Sequence, residues 1–190
     1  TFYVHEAVLV THSGFFRAAV KSEWRTDPTK PIDLTDECAS VFNIYVLWLY
    51  TGEIGFLTPT TLFYEAQVTL AHAYVLGAKL HDPAFRNAVV SALFTFLKKN
   101  KKDCACNAFI KVVYVGTAKG APARRLAIDA WATRGHSKFS GLENLVEETC
   151  VEFVHDVLKE VLKIRPDTRS DNVWEKEPER YFVKDDTNED

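Results

Sequence analysis

The hydrophobic positions of this chain change period several times, and each change marks an element. Phe2 and Val4 alternate with Tyr3 and His5, the two-residue period of a strand with one buried face. The pattern then lengthens to a helical one: Ala7, Val8 and Leu9, followed after Ser13-Gly14 by Phe15, Phe16, Ala18, Ala19 and Val20. Two short helices are predicted, with the Ser13 hydroxyl capping the second. The stretch EWRTDPTKP is polar turn material, and PIDL predicts a short strand whose proline confines it to an edge or a first position. Asp36 is the expected cap of the next helix. There Val41, Ile44, Tyr45, Trp48 and Leu49 fall at i, i+3, i+4, i+7 and i+8, and Gly52 supplies the stop.

Further on, LTPTTLFYEAQVTLAHAYVLG is apolar nearly all round, which predicts a central helix begun through Thr58-Pro59 and closed by Gly77. Asp82-Pro83 gives a cap followed by proline in the first turn. Phe85, Ala88, Val89, Ala92, Leu93 and Phe96 then make one stripe ending at Lys98-Lys99. NAFIKVVYVGTA and, from Pro122, ARRLAIDAWATRG predict two more helices. A last long stripe joins Leu142, Leu145, Val146, Cys150, Phe153, Val154, Val157, Leu158, Val161 and Leu162. From Pro166 the chain is charged and aperiodic, the composition of a disordered or loosely attached tail.

With 190 residues the chain is long enough to bury roughly 70% of its unfolded surface. Its 47% hydrophobic and 26% charged residues exclude disorder of the whole chain. The longest apolar runs are broken by Glu65, His72 and Lys79, so no bilayer-spanning segment and no membrane partner are expected. The chain contains no Met and starts inside an apparent strand, so it is read as an amino-terminally truncated fragment. The net charge of −3 sits mostly at the end: from Arg165 onward there are nine acidic and five basic residues, against 18 basic and 17 acidic before it. A nearly neutral body lacks the clustered positive surface that phosphate neutralisation needs.

Candidate chemistry changes this picture little. Of the four cysteines, Cys38, Cys104, Cys106 and Cys150, only the C-A-C pair is close, and that is not the spacing of zinc ligands. Reduced thiols of a cytoplasmic or nuclear protein fit better. The six histidines are scattered, and no metalloprotease, nucleophile-elbow or dinucleotide motif occurs. GTAKGAPAR fails the Walker spacing because Ala121 stands where the second glycine belongs. His12-Ser13 and His136-Ser137 are neighbours in sequence, which does not place a base against a nucleophile. No catalytic, cofactor-binding or metal-ligating residue is therefore nominated, no cofactor is expected, and the chain is not read as an enzyme. Lys98, Lys99, Lys101 and Lys102 with Arg124-Arg125 form the best nucleic-acid candidate. They are read instead as helix-closing lysines and arginines solvating a helix surface, and direct nucleic-acid binding is not expected.

The ordered set FYVHEAVLVTHSGFFRAAV and PIDLTDECASVFNIYVLWLYTGEI resembles the BTB/POZ domain. The family pattern is strand, V-H-x-x-x-L, S-x-x-F, I-x-L, then V-F-x-x-x-x-x-W-L-Y-T-G. It is matched by Val4, His5, Leu9, Ser13, Phe16, Ile32, Leu34, Val41, Phe42, Trp48, Leu49, Tyr50, Thr51 and Gly52. AYVLGAKLHDPAFRNAVVSAL continues the likeness through Tyr74, Leu76, Lys79, Leu80, Arg86, Asn87 and Ala88, so that it covers about residues 2–98. NAFIKVVYVGTAKGAPARRLAIDAWA is similar to the helical continuation of filamentous-fungal members.

The resemblance implies an α+β fold, mostly helical around a small β-sheet, with a carboxy-terminal helical extension. The expected division is a BTB/POZ domain over 1–100 lacking its first strand and any amino-terminal helix, an extension over 101–164, and an acidic, disordered tail over 165–190. His5, Phe16, Trp48, Tyr50 and Gly52 become structural positions, with His5 a partly buried imidazole satisfying polar groups where the strand meets the first helix. The implied function is non-catalytic protein–protein interaction by a self-associating scaffold or adaptor, homodimeric in the full-length chain. One alternative is a substrate adaptor that docks a cullin for ubiquitination, and another is the interaction domain of a transcriptional regulator. The hydrophobic-x-Glu motif of cullin-binding members falls at Trp24, Arg25 and Thr26, where Thr26 lacks the carboxylate. The rest of that partner face would come from Val41, Asn43 and Tyr45.

Overall fold

A computed structural model describes residues 1–21, 23–25, 27, 30–55, 63–100, 104–139, 141–165 and 180. Nine helices form among them: α1 (Glu6–His12), α2 (Gly14–Ala19), α3 (Ala39–Thr51), α4 (Phe63–Lys79), α5 (Pro83–Lys99), α6 (Asn107–Gly116), α7 (Pro122–Arg134), α8 (Leu145–Glu148) and α9 (Val151–Ile164). No strand occurs among the described residues, so the expected small sheet is absent there. Residues 2–5 and 31–34 have the residue pattern of strands. A strand also needs a neighbour whose amide and carbonyl groups meet its own, and no described segment supplies one. Of the expected acidic tail, only Arg165 and Arg180 lie within the described residues.

The break between α1 and α2 comes from Ser13. Its extended backbone (ψ 124°) cannot continue a helix. Its hydroxyl accepts from the Phe16 amide at 3.1 Å and donates to the Leu80 carbonyl at 2.6 Å. The amides of Gly14 and Phe15 donate to the carbonyls of His81 and Leu80. One small side chain thus caps α2 and docks it on the turn that follows α4, an arrangement worth about 1 kcal/mol for the cap alone.

α3 begins after Cys38, two residues later than expected. The Glu37 amide closes a turn onto the Leu34 carbonyl, which keeps Asp36 outside the helix. At its end Gly52 adopts a left-handed φ of 74°, and its amide donates to the Trp48 carbonyl at 2.7 Å. Gly77, expected to close α4, lies inside it instead. A Cβ there would stand 2.9 Å from both Phe85 and Arg86 side-chain carbons, so this glycine lets α5 approach closely. The reversal is made by His81, a non-glycine residue at φ 51°. Thr58-Pro59, the expected start of α4, lie outside the described residues.

α4 is the central helix, packed on α3, α5 and α6. Tyr45 and Trp48 of α3 stack at 6.0 Å and both meet the Phe85 ring of α5, at 4.9 and 5.1 Å. Large side chains buried this completely each contribute about 1.5–3 kcal/mol. One apolar cluster runs from Phe16 to Phe153, with members on both sides of residue 100. The C-A-C segment is pinned inside it. Gln67 donates to the Cys104 carbonyl and accepts from the Cys106 amide, while the Trp131 indole donates to the Ala105 carbonyl at 2.7 Å. The final stripe is not one helix: Thr149 and Cys150 are non-helical and separate α8 from α9. Among the described residues no helix is long and apolar enough to cross a membrane.

Candidate functional site

The amino-terminal face carries a groove. α1 and α2, residues 30–37 and the start of α3 enclose a groove of about 860 Å³. Its walls are apolar, with Phe2, Val4, Leu9, Phe16, Ile32 and Phe42 among them, and Glu6, Arg25 and Lys30 at the rim. Phe2 meets the Phe42 ring edge-on at 4.9 Å, which holds the first residues against the groove. Tyr3 points away and is 95% exposed. Asp33 on the rim is held below the usual carboxylate range by hydrogen bonds from Thr35, its backbone amide foremost, and stays charged at neutral pH.

His5 sits at the edge of this face and is exposed, where a partly buried imidazole was expected. It pairs with Tyr50: the His5 amide donates to the phenol oxygen at 3.1 Å and the ring Nδ1 lies 2.8 Å from it. The residue therefore fastens the start of α1 to the last turn of α3. Phe16 and Trp48 are buried, Tyr50 is exposed apart from this bond, and Gly52 caps α3.

The expected partner-binding residues do not form one surface. Trp24 is 78% exposed, and Asn43 is exposed. Arg25 is half-buried, 3.7 Å from the Glu6 carboxylate, and donates to the Lys30 carbonyl at 2.9 Å, so it secures the loop to α1. Thr26 lies outside the described residues. Val41 and Tyr45 are corrected: both are buried, Tyr45 completely, because their face of α3 turns onto α4 and α5. The Tyr45 phenol donates to Asp82 Oδ2 at 3.0 Å, and burial, reinforced by that carboxylate, pushes its pKa well above the ordinary range. The position of Asp82 in the sequence marks it as a helix cap, which it is, accepting from the Phe85 amide at 2.9 Å. Its second bond joins residues 37 apart and leaves no trace in local pattern.

No group of three or more His, Cys, Asp or Glu side chains able to hold a metal ion occurs among the described residues. The four cysteines are free thiols. The His12 ring packs edge-on against Trp48 at 5.2 Å, and the His136 ring faces Phe139. Arg124, read as solvating a helix surface, is buried over the Tyr114 ring at 4.3 Å and ion-paired with Glu152 at 3.2 Å. That removes it from any basic patch with Arg125, while Lys101 and Lys102 lie outside the described residues.

What this face offers is an apolar groove with an exposed tyrosine and tryptophan nearby, the chemistry of a surface that binds protein. No curated protein and no solved structure matches the chain. The family model of the BTB/POZ domain matches residues 1–80, a span that holds the groove, α1 to α4 and the turn onto which Ser13 docks, and stops short of Arg86, Asn87 and Ala88. Residues 1–80 of this chain are a BTB/POZ domain, a protein-interaction module of a non-catalytic family.

Proposed function

We propose that this chain is a self-associating scaffold whose amino-terminal groove receives a strand from a second copy. The observation that carries this is the groove itself: apolar side chains flanked by two strand-patterned segments, residues 2–5 and 31–34, with no ladder partner among the described residues. Unpaired strand-like backbone beside an apolar surface is a template for pairing with another chain. On this reading the small β-sheet forms in the assembly, α5 belongs with the interaction domain over 1–100, and residues 101–164 buttress it through the shared core.

Sedimentation velocity at tens of micromolar tests the proposal. A dimer is expected, converted to monomer by Tyr3→Pro, which removes one backbone donor from an exposed position while the apolar groove stays intact. A monomeric parent chain, or a dimer indifferent to Tyr3→Pro, overturns it.

A second reading, docking of a cullin, is favoured by the exposure of Trp24 at the place of the family's hydrophobic contact. Calorimetric titration with the amino-terminal helical region of a cullin, with Trp24→Ala as the control, tests it. Heat abolished by the substitution supports an adaptor, and no heat from the folded chain removes the reading.

A further inference from the structure

A second cavity, of about 600 Å³, opens away from the groove, where α4, the start of α6, Phe139, Gly141 and Glu148 meet. Tyr64, Glu65, Asn107, Phe139, Gly141 and Glu148 are among its walls, and none of its walls among the described residues is basic. Asn107 is only 6% exposed. Its amide nitrogen uses both protons, donating to the Gly141 carbonyl at 2.8 Å and to Glu148 Oε2 at 2.9 Å. These two acceptors fix which way the amide points. Its oxygen is consequently left buried without a hydrogen-bond partner. A Cβ at Gly141 would stand 3.0 Å from that oxygen, so a side chain there would crowd it.

We propose that this cavity binds an arginine side chain presented by a partner protein. The unmatched group is an acceptor, and a buried acceptor gains most from a charged donor. Two carboxylates, Glu65 and Glu148, line the same space. Their charge outweighs the roughly half positive charge at the start of α6. The Cys106 thiol, raised by burial, stays neutral and adds no competing charge. The guest is a guanidinium because its planar fork can reach a carboxylate and the amide oxygen together while its face lies on a ring such as Tyr64 or Phe139. Lysine offers a point charge without the fork. The choice of a protein guest rests on the reading of the chain as an interaction module, whereas the groove of the self-association proposal is a separate cavity with different walls.

The experiment is a nuclear magnetic resonance titration of the full chain with acetyl-Gly-Arg-Gly-amide, beside the lysine and glutamine analogues. The arginine peptide is expected to give saturable shifts of the Asn107 side-chain amide and the Gly141 backbone amide. Its dissociation constant should rise about tenfold in Glu148→Gln, which keeps the acceptor for Asn107 and loses the charge. Gly141→Ala should abolish the shifts while keeping the melting temperature of the parent chain within a few degrees, and the charge-loss variant Glu148→Gln tests the site should Gly141→Ala fail to fold. No saturable shift, an equal response to the glutamine peptide, or indifference to Glu148→Gln overturns the site, and equal affinity for the lysine peptide overturns the guanidinium. Sedimentation reads the self-association proposal independently, so either can fail alone.

Discussion

Two tyrosines in this molecule donate to an aspartate across identical distances, and their surroundings make the two bonds unequal. Tyr45 of α3, in the span that matches the BTB/POZ domain, reaches Asp82 Oδ2 just beyond that span at 3.0 Å, and Tyr114 of α6 reaches Asp156 Oδ2 at 3.0 Å in the later helices. Both phenols are pushed above the ordinary tyrosine range, first by burial and then by the neighbouring carboxylate. Tyr45 and Asp82 are both fully buried, and Asp82 also caps α5. The Asp156 side chain is 20% exposed, and the Tyr114 ring carries the Arg124 guanidinium at 4.3 Å. The lesson is that hydrogen-bond length does not set a bond's worth: what matters is whether water or another side chain can replace a lost partner.

The largest effect should follow removal of the shared acceptor. Asp82→Ala deletes the α5 cap and strands the Tyr45 hydroxyl, at a cost of about 3 kcal/mol. A calorimetric scan should show the melting temperature falling by roughly 6 to 12 °C. Tyr45→Phe keeps the cap and leaves one buried carboxylate oxygen unpaired, for a loss of about 2 kcal/mol by denaturant titration.

The pH dependence tests both pairs together. A phenol whose folded pKa lies above its unfolded value of about 10 contributes stability that is complete below that value and is lost as pH rises through the folded one. Stability measured from pH 8 to 11 should therefore decline, and Tyr45→Phe and Tyr114→Phe should each flatten part of that alkaline loss, because both folded phenols titrate above this window. No flattening in either variant would mean that burial and the carboxylate do not hold the phenols protonated. Tyr114→Phe itself should cost about 1 kcal/mol, since water can solvate Asp156 in the variant. The smallest change is a gain: His81→Gly relieves the left-handed backbone that presents Asp82 to Tyr45, and should raise stability by about 0.5 kcal/mol.

The same contrast explains how much could be read in advance. As caps, stops and helix starters, Ser13, Gly52, Asp82 and Pro83 act through neighbours within four residues, and those roles are visible in local sequence. Gly77 was misplaced because a glycine at a helix end and a glycine under a crossing helix look alike until α5 is in position. Val41 and Tyr45 were assigned to a partner face by analogy, yet the i, i+3, i+4 stripe they belong to is the buried face of α3. The long stripe from Leu142 to Leu162 hid a break at Thr149 and Cys150, since helical spacing survives an interruption that preserves side-chain phase.

The sequence by itself determined the helices from α1 to α7, their principal caps, the absence of familiar catalytic motifs and the likeness to the BTB/POZ domain, because periodicity, capping and motif order are properties of near neighbours. Only the tertiary structure decided that residues 2–5 and 31–34 lack ladder partners among the described residues, that Arg124 is buried, and that Asn107 ends with an orphaned oxygen beside Gly141 and Glu148. Each of these depends on groups far apart in the chain meeting in space, and a contact of that kind has no local spacing from which to be read.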